Sequence, residues 1–532
     1  QADIFHYFAN EILERSAPAV QEFLIQTALL ERFSAGMSAA LTGNTCAEHF
    51  LRDLVARNYF TVEHAAAVAT YEYHPLFQAF LRRRAQEKYG AALPQLLRRA
   101  SAILAGERQY DRAVALLAEA GHWEGLAELV LANAPSLVAQ GRWKTLADWI
   151  QLLPASRLET SPEMLYWSGV ATLPFDPRGT RAVLSRAYRQ FKDAGDGARQ
   201  ALAWCAVVDS VVFEWGDFRP LDEWIDEIEV ELGRRRREYA PALEAQVACG
   251  VFMALMSRRP QHPDIGAWAQ RAWDLAIGGG DATLRVKVGP HLLLYYTWWI
   301  GDLAKAELLL TALRELVEDP NAAPLVQTTW CAMAAAFHWM SAENERCIET
   351  VEHGLEVARQ TGVHAWDMLL YSQAVFAALT SGQDARAQEF LQRMARLQHA
   401  SRPMDNAMYY YLSAWLLHRR GEHAAAREHA KTAVDMGEAA GAVFQAAIFW
   451  NDYGRTLFYG GDEAGARDAV HRSLAVGYEI RAKTVEYLCF LVEAEIALRR
   501  GDDEACGAAL RHGLQVGRQQ GFLNHTWWDD AT

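Results

Sequence analysis

The sequence predicts an all-α protein, in which an array of helical hairpins follows a small domain that carries the only strand-like segments. A turn recurs about every forty residues over the second half of the chain, as in repeat arrays. Hydrophobic residues make up 51% of the 532 residues and charged residues 22%, a balance typical of globular chains. A chain of this length is too long to fold around one ordinary hydrophobic core, so several domains or a repeat array are expected.

The recurring turn is a Gly or Ala, followed mostly by an acidic or amide residue. The six turns begin 41, 40, 39, 40 and 40 residues apart, at Gly301, Ala342, Gly382, Gly421, Gly461 and Gly501. A small residue follows five places later, at Ala306, Cys347, Ala387, Ala426, Ala466 and Cys506. A stack of such hairpins presents a concave binding surface, so a receptor or scaffold is favoured over an enzyme.

The first ninety residues predict a small mixed domain. Amphipathic spacing, and Pro18 at a helix start, predict the first two helices. β-branched and aromatic residues predict two strands later in the domain. The expected order is helix, helix, helix, strand, strand, helix, over residues 4–15, 18–31, 47–57, 58–62, 67–73 and 75–89. Three helices, a two-stranded wing and a closing helix are typical of a winged-helix domain.

Composition and charge exclude several classes of partner. The net charge is −14, and the whole excess of acidic residues lies after residue 100. The one basic cluster, Arg234–Arg237, is followed by Glu238 and is interpreted as a solvated helix end, so direct nucleic-acid binding is not expected. No apolar run reaches the ~18 residues of a membrane span, so no membrane contact and a cytoplasmic location are expected. The seven scattered cysteines fit buried thiols in a reducing compartment.

A motif at the junction of the second strand and the following helix is more specific. The stretch Tyr73-His74-Pro75-Leu76-Phe77-Gln78-Ala79-Phe80-Leu81 resembles the wing-to-helix signature of the maltose-regulator (MalT-like) family. The likeness continues through Arg99-Ala100, Ala113-Val114, Trp149-Ile150 and Leu153-Pro154. Members of that family are large bacterial signal-transduction ATPases with numerous domains, and they activate transcription.

The resemblance implies regulation, with the nucleotide chemistry elsewhere. In that family the winged helix does not read DNA but packs on a nucleotide-binding domain and stabilises the ADP-bound state. The dipeptide Gly-Lys is absent from this sequence, so it has no GxxxxGK[ST] loop. No cofactor is therefore expected in this chain, and ATP or ADP is expected only in a nucleotide-binding domain outside it. The chain is interpreted as the middle and sensor portion of a larger regulator.

His74 has two interpretations. The resemblance matches it to a winged-helix histidine that contacts the β-phosphate of ADP in related ATPases, through a charge-assisted hydrogen bond. The alternative is that His74 caps or packs the helix after Pro75. The capping interpretation is favoured for this chain, because the nucleotide-binding domain is not part of it.

Helices are predicted for the rest of the sequence. The winged-helix domain is expected over residues 1–90, an arm of short hairpins over 91–155, and a superhelical sensor domain over 156–532. From about Ser161 the units lengthen and resemble tetratricopeptide repeats, in which a Gly-Asp-x-x-x-Ala turn joins two helices. Small residues seven positions before the turn suit close helix packing, at Ala335, Ala414, Gly454 and Ala494. The resemblance implies a right-handed superhelix of tetratricopeptide-like hairpins.

The resemblance also indicates which side chains face the inner wall of such a superhelix. In tetratricopeptide arrays the first helix of each unit lines that wall through positions about ten, six, three and two residues before the turn. On this sequence these positions give a candidate ligand site at His291, Tyr295, Trp298, Trp339, Phe376, Tyr411, Trp415, Asn451 and Arg455. A mostly apolar wall with a few polar groups suits a sugar, an aromatic ring or a peptide. The alternative is that the aromatics only fill the space between hairpins.

The favoured hypothesis is the ligand-sensing and regulatory portion of a MalT-like, ATP-dependent transcription activator. A small-molecule inducer or a regulatory protein would bind the concave array, and the full-length protein would self-associate. The alternative is a tetratricopeptide-type protein–protein interaction scaffold without nucleotide switching, which would have no use for the signature at residues 73–81. No spacing of His, Cys or carboxylates fits a metal or catalytic site, so neither is expected.

Overall fold

The computed structural model describes residues 2–66, 68–234, 239–277, 282–317, 319, 322–400 and 402–527. The chain divides into two compact units, one formed by residues 1–137 and 144–164 and the other by residues 138–143 and 165–532. Each unit has its own hydrophobic core. Residues 235–238, which include most of the basic cluster and the Glu after it, lie outside the described residues.

The first unit opens with a winged-helix domain. Its helices are α1 (Ala2–Arg15), α2 (Pro18–Thr27), α3 (Ala35–Thr42), α4 (Ala47–Ala56) and α5 (Pro75–Tyr89). Its strands are β1 (Arg32–Ser34), β2 (Thr61–His64) and β3 (Thr70–Tyr73), which pair antiparallel in the order β1-β3-β2. The rings of Phe33 and Tyr73, both buried, lie 5.3 Å apart between sheet and helices. An aromatic core therefore holds the sheet to the helices.

The predicted two-stranded wing is confirmed as the antiparallel pair β2–β3, and the sheet has in addition a third strand, β1, that the sequence did not predict. Helix α2 ends at Thr27, short of residue 31, and β1 pairs with β3, which is distant in sequence. Ser34 ends β1 and caps α3, since its Oγ accepts a hydrogen bond from the Met37 N–H at 3.2 Å. A strand of three residues is too short to show an alternating pattern, so neither β1 nor α3 is evident from the sequence.

Short helices follow the winged-helix domain. They are α6 (Leu93–Gly106), α7 (Tyr110–Glu119), α8 (Trp123–Ala139), α9 (Trp143–Gln151), α10 (Ala155–Thr160) and α11 (Pro162–Thr172). The Trp149 indole Nε1 donates to Asp111 Oδ1 at 2.9 Å and so joins α9 to α7. A buried indole whose N–H is paired in this way fixes how two helices pack.

The second unit is an array of helical hairpins. Its helices are α12 (Pro177–Asp193), α13 (Gly197–Glu214), α14 (Leu221–Arg234), α15 (Pro241–Arg258), α16 (Ile265–Ala276), α17 (Ala282–Leu294), α18 (Leu303–Val317), α19 (Pro324–Met340), α20 (Asn344–Thr361), α21 (Asp367–Thr380), α22 (Asp384–Leu397), α23 (Pro403–Arg419), α24 (His423–Ala439), α25 (Val443–Tyr459), α26 (Glu463–Glu479), α27 (Lys483–Arg499) and α28 (Asp503–Gln520). Helices α13, α15, α17, α19, α21, α23, α25 and α27 are the more buried helix of each pair, and we call them the inner helices. In the described part of the chain, no helix has the length and apolar character that a bilayer crossing requires.

Every repeat turn places its first residue in the left-handed region of the backbone. The φ angle is +77° at Gly301 and +58° at Ala342, and it lies between +69° and +82° at the other four turns. At five of the six turns the next N–H bonds a carbonyl five residues earlier, as Glu422 N does to Leu417 O at 2.9 Å. This is the Schellman closure of a helix, which favours Gly because Gly carries no Cβ. The forty-residue period is therefore a period of left-handed turns.

The inner helices also contact hairpins far away in sequence. Phe218 N donates to Ala440 O at 2.9 Å, and Met404 N donates to Gly216 O at 3.3 Å. Helix α15 packs on α25, and residues 295–300 pack on α27. The array curves so strongly that its inner side chains meet one another and become buried.

One buried carboxylate lies at the first turn of α23. Asp405 is 1% exposed, and its Oδ2 lies 2.7 Å from Arg402 Nε. Arg402 Nη2 also donates to Glu214 O at 2.8 Å, which joins α23 to the end of α13. Burial raises the pKa of Asp405 to about 7, although the neighbouring guanidinium of Arg402 acts in the opposite direction. Ionisation of Asp405 therefore destabilises the folded state.

Replacing Ala342 by Gly should raise the free energy of unfolding by about 0.5–1 kcal/mol. An L-residue in the left-handed region costs about 1–2 kcal/mol, and the greater flexibility of Gly in the unfolded chain offsets part of the gain. Gly421→Ala is the matched reverse change, because a Cβ there meets no atom within 4 Å. The midpoint of chemical denaturation should shift in opposite directions for the two variants. A shift in the same direction contradicts this account.

Asp405→Asn should reduce the fall in unfolding free energy that the unsubstituted chain shows between pH 4 and pH 8. The folded-state pKa is raised, so the stability that Asp405 contributes is fully present below its unfolded pKa of about 4 and lost as pH rises through about 7. At pH 8 the variant should gain up to about 4 kcal/mol in unfolding free energy relative to the unsubstituted chain. Denaturation at several pH values tests this, with Asp435→Asn, at an exposed site of α24, as a control that keeps the original pH dependence.

Candidate functional site

The structure buries all nine side chains that the sequence places on the inner wall, and none is more than 5% exposed. Contacts between inner helices recur one repeat apart. Trp298 stacks on Trp339, with ring centroids 5.2 Å apart and planes 10° apart. Arg455 Nε donates to Glu495 Oε2 at 2.7 Å, forty positions further on. Successive inner helices are therefore joined by contacts that repeat with the period of the turns.

Three of the nine residues, Trp298, Phe376 and Tyr411, line a cleft of about 50 Å³ between inner helices. The other lining residues are Trp215, Leu294, Trp299, Leu369, Gln373, Met408, Phe444, Gln445, Ile448 and Phe449. Trp339 and Trp415 pack on Phe376, at centroid distances of 5.0 and 6.2 Å. We call this space the inner cleft. Pockets for metabolites hold about 300–1,000 Å³, so in this conformation the inner cleft admits only small groups.

Three polar atoms of the lining residues have no hydrogen-bond partner among the described residues. They are Nε1 of Trp215, Nε1 of Trp299 and Oε1 of Gln373, and all three are shielded from solvent. Leaving a buried donor or acceptor unpaired costs about 1–3 kcal/mol each. A ligand that reached these atoms with two acceptors and one donor would recover that free energy.

The two adjacent tryptophans lie on a π-helical turn, Tyr295–Ile300, which continues α17 and ends at Gly301. Trp298 and Trp299 are both buried, and Trp299 stacks on Phe444 with ring centroids 4.1 Å apart. An α-helix turns adjacent side chains about 100° apart, whereas the wider π turn brings both indoles into the wall. Single π turns occur frequently at functional sites.

The polar members of the nine residues bond within the protein. Besides its bond to Glu495, Arg455 has Nη1 at 3.4 Å from Asp452 Oδ1. Tyr411 OH donates to Asp452 Oδ2 at 2.7 Å, and Asn451 Nδ2 lies 3.3 Å from Asp452 Oδ1. Burial raises the pKa of Asp452 to about 6, although Arg455 opposes the rise. A buried guanidinium paired with two carboxylates is a structural network, and removing either partner would leave a buried charge.

Two more of the nine residues, His291 and Tyr295, also lie outside the inner cleft. His291 Nδ1 lies 3.2 Å from Lys287 O, and its ring packs near Phe213, at a centroid distance of 6.3 Å. Burial lowers the pKa of His291 to about 4, so the ring is neutral at pH 7. The ring of Tyr295 meets the edge of Phe252 at 5.0 Å. Both side chains belong to the core beside the inner cleft.

His74 lies at the start of α5, where its side chain is exposed. Its Nδ1 accepts a hydrogen bond from the Leu76 N–H at 3.3 Å. The structure therefore gives His74 the capping contact, as the sequence interpretation favours for this chain. Contact between His74 and a nucleotide stays a prediction.

A wider cleft of about 340 Å³ also lies within the second unit. It is lined by Pro174, Phe175, Asp176, Pro177, Arg178, Phe213, Glu214, Gly362, His364, Ala365 and Arg402. Its charged groups pair inside the protein: Glu214 with Arg181, and His364 with Asp367 at 2.8 Å. Among the described residues, no group of three or more His, Cys, Asp or Glu side chains is placed to hold a metal ion. The inner cleft, three of whose lining residues carry unpaired polar atoms, is the better candidate for ligand binding.

Two residues of the inner cleft that carry unpaired polar atoms, Gln373 and Trp215, are missed by the sequence reasoning. Gln373 lies three positions before Phe376 on α21, so both occupy the same face of the helix, and the repeat pattern could have identified it. Trp215 follows α13 in a left-handed conformation, with φ of +48°. It lies before the regular turns, and no repeat signal points to it.

Comparison with known proteins gives one family match. Residues 9–93 match the model of the MalT winged helix domain. The match begins within α1 and covers the other helices and the three-stranded sheet of the first domain, and it includes His74 and the signature at residues 73–81. It ends at the first residue of α6.

Among curated proteins, the serine/threonine-protein kinase PknK of Mycobacterium tuberculosis is 30% identical over 156 residues. The PknK of Mycobacterium bovis gives the same identity over the same length. The matched segment spans 29% of this chain and only 14% of the length of either kinase. The likeness is confined to a small part of those proteins.

Two solved structures are similar over a larger share of the chain. A Rap protein complexed with competence and sporulation factor aligns over 61% of this chain and 99% of its own, at 12% identity and a TM-score of 0.44. A signal transduction ATPase with numerous domains and a tetratricopeptide repeat sensor, from Pyrococcus horikoshii, aligns over 97% of this chain and 66% of its own, at 11% identity and a TM-score of 0.30. With TM-scores below 0.5, neither likeness says what this chain binds.

The family-model match and the observed order of helices and strands together identify the first domain, because both cover the same stretch of sequence. The hairpins of the second unit carry the turn, the buried small residues and the paired helices of a tetratricopeptide-like array. Residues 9–93 are therefore a MalT winged helix domain, followed in this chain by tetratricopeptide-like helical hairpins.

Proposed function

We propose that this chain is the ligand-sensing and regulatory portion of a MalT-like, ATP-dependent transcription activator, and that an inducer binds in the inner cleft. The observation that carries the proposal is an apolar cleft whose lining holds three unpaired polar atoms, on Trp215, Trp299 and Gln373. The MalT winged helix domain supports the regulatory part. In this proposal ATP or ADP binds a nucleotide-binding domain outside the chain, and the chain itself catalyses no reaction.

The lining chemistry defines the class of inducer. An indole N–H is a donor only, so Trp215 and Trp299 call for acceptors on the ligand. The Gln373 amide oxygen calls for a donor, and the rings of Trp298 and Phe376 favour a flat partner. The proposed inducer is a small aromatic or heteroaromatic compound that carries two acceptors and one donor.

Binding of such a compound requires the inner helices to move apart. The cleft measures about 50 Å³ in this conformation, well below the volume of a metabolite pocket. The inducer would therefore prefer an opened arrangement to the one described. A ligand shifts a conformational equilibrium by its difference in affinity for the two states, so this preference would make the cleft a sensor.

The alternative function is a tetratricopeptide-type interaction scaffold that binds a peptide or protein and undergoes no nucleotide switching. The MalT winged helix domain argues against it, because a plain scaffold has no use for that domain. Self-association of the full-length protein belongs to the regulator proposal alone. A compound that binds the inner cleft would favour the regulator, since a scaffold needs no small-molecule site.

Gln373→Met should have opposite effects on the chain alone and on inducer binding. Met is close to Gln in size but has no amide oxygen, so the variant loses a buried unpaired acceptor and should gain about 1 kcal/mol of stability. The variant should also lose the rise in melting temperature that an aromatic inducer gives the unsubstituted chain through mass action. A thermal-shift screen of aromatic and heteroaromatic metabolites measures both effects.

Gln200→Met is the matched control, because Gln200 is equally buried but donates its Nε2 to Tyr188 OH at 3.1 Å. This variant should be less stable than the unsubstituted chain and should keep the full inducer shift. The proposal fails if no compound in the library raises the melting temperature. It also fails if Gln373→Met keeps the shift.

A further inference from the structure

After α28 the chain continues as a short segment, residues 521–527, that lies against the inner helices. Burial alternates over residues 521–526: Phe522, Asn524 and Thr526 are at most 6% exposed, whereas Leu523 is 66% exposed, and Trp527 at the end is also buried. No helix or strand is formed over residues 522–525. Alternation of this kind is that of an extended peptide with one face against a surface.

The first contact is with the end of α19. Asn524 Nδ2 donates to Trp339 O at 2.9 Å and to Asn344 Oδ1 at 3.3 Å. Leu523 N donates to Met340 O at 3.3 Å. The carbonyls of a last helical turn lack partners inside their own helix, so they are natural acceptors for an extended segment. The segment therefore binds α19 with one side-chain amide and one backbone amide.

The second contact is with the network around Arg455. Thr526 Oγ1 donates to Asp452 Oδ2 at 3.3 Å. Trp527 lies parallel to Trp415, with ring centroids 6.5 Å apart, and the Arg455 guanidinium lies 5.7 Å from the centre of the Trp527 ring. Arg455 Nη1 also donates to Trp527 O at 3.4 Å. The buried cation is thus shared between the inner helices and the segment.

The third contact is with the repeat turn at Gly301. The ring of Phe522 packs on Gly301 and near Tyr487, at a centroid distance of 5.2 Å. A Cβ at Gly301 would collide with the Phe522 ring. Gly301 therefore serves two purposes, since its φ is left-handed and its missing side chain makes room for Phe522.

The segment fills this surface without satisfying all of its polar groups. Nε1 of Trp415 and Oδ1 of Asn451 have no hydrogen-bond partner among the described residues, and both are shielded from solvent. Nε1 of Trp527, on the segment itself, is also unpaired. An occupant that reached the first two atoms would bind better than the segment, because each unpaired buried group carries a desolvation cost.

We propose that the inner helices form a peptide-binding groove, that residues 521–527 are its intramolecular occupant, and that a partner peptide of the same chemistry displaces them. The partner is an extended segment with an aromatic side chain, an asparagine two positions later and a tryptophan three positions after that. A peptide is indicated because alternate side chains and a backbone N–H, spread along an extended chain, make the contacts. This groove is distinct from the inner cleft, and the inference holds whether or not an inducer binds there.

Competition by a peptide in trans tests the inference with the full chain. A fluorescently labelled peptide with the sequence of residues 520–527 is titrated against the unsubstituted chain, Asn524→Asp and Leu523→Ala, with anisotropy as the readout. Both variants change the segment and leave the groove intact, but only Asn524→Asp sets a carboxylate against the Trp339 carbonyl, whereas Leu523 faces outwards. Asn524→Asp should release the segment and bind the peptide at least tenfold more tightly than the other two proteins.

Peptide variants report whether the contacts are specific. Replacing the residue that corresponds to Asn524 by Ala should weaken binding at least tenfold, whereas the Ala replacement at Leu523, which faces outwards, should leave it unchanged. If circular dichroism shows that Asn524→Asp does not fold, Phe522→Ala in the full chain replaces it, since this change removes the ring that packs on Gly301. Equal peptide affinity of the released and unsubstituted chains, or equal losses for both peptide variants, overturns the inference.

Discussion

Each repeat turn of the array begins at a residue with positive φ, and the positions of the later contacts follow from that turn. The turn ends an inner helix, closes it through a hydrogen bond to a carbonyl five residues back, and starts the next helix at a fixed offset. Inner helices then come at nearly constant spacing along the chain. A side chain at a given distance before one turn therefore meets its counterpart before the next turn.

The contacts of the inner helices repeat with the same spacing. Trp298 meets Trp339, Trp339 Nε1 donates to Thr380 Oγ1 at 3.0 Å, and Arg455 meets Glu495. Large side chains in these positions fill the inside of a strongly curved array, and burial of each aromatic is worth about 1.5–3 kcal/mol. The same crowding leaves the indole N–H groups of Trp215, Trp299 and Trp415 without partners among the described residues. The packing that stabilises the array therefore also leaves a few buried donors unpaired.

The sequence was sufficient for the features that depend on local chemistry. Left-handed glycines, the motif beginning at Tyr73 and the aromatic bias of the inner helices predicted the hairpins, the first domain and the inner wall. Features that depend on distant contacts were out of reach, such as β1, the approach of Phe218 to Ala440, and the burial of every inner side chain. Periodicity gives the face on which a side chain lies, but it does not give the curvature that decides whether the face is open.

Tyr411 connects the two sites proposed on the inner helices. Its ring lines the inner cleft, and its hydroxyl donates to Asp452, which also accepts the bond from Thr526. A ligand that moved the ring would change the orientation of that hydroxyl and hence the binding of the segment. By thermodynamic linkage, displacement of the segment would change ligand affinity by the same factor. A buried polar network contributes such coupling because it has few ways to rearrange while keeping every charge paired. A small molecule and a peptide would then act through one carboxylate, Asp452.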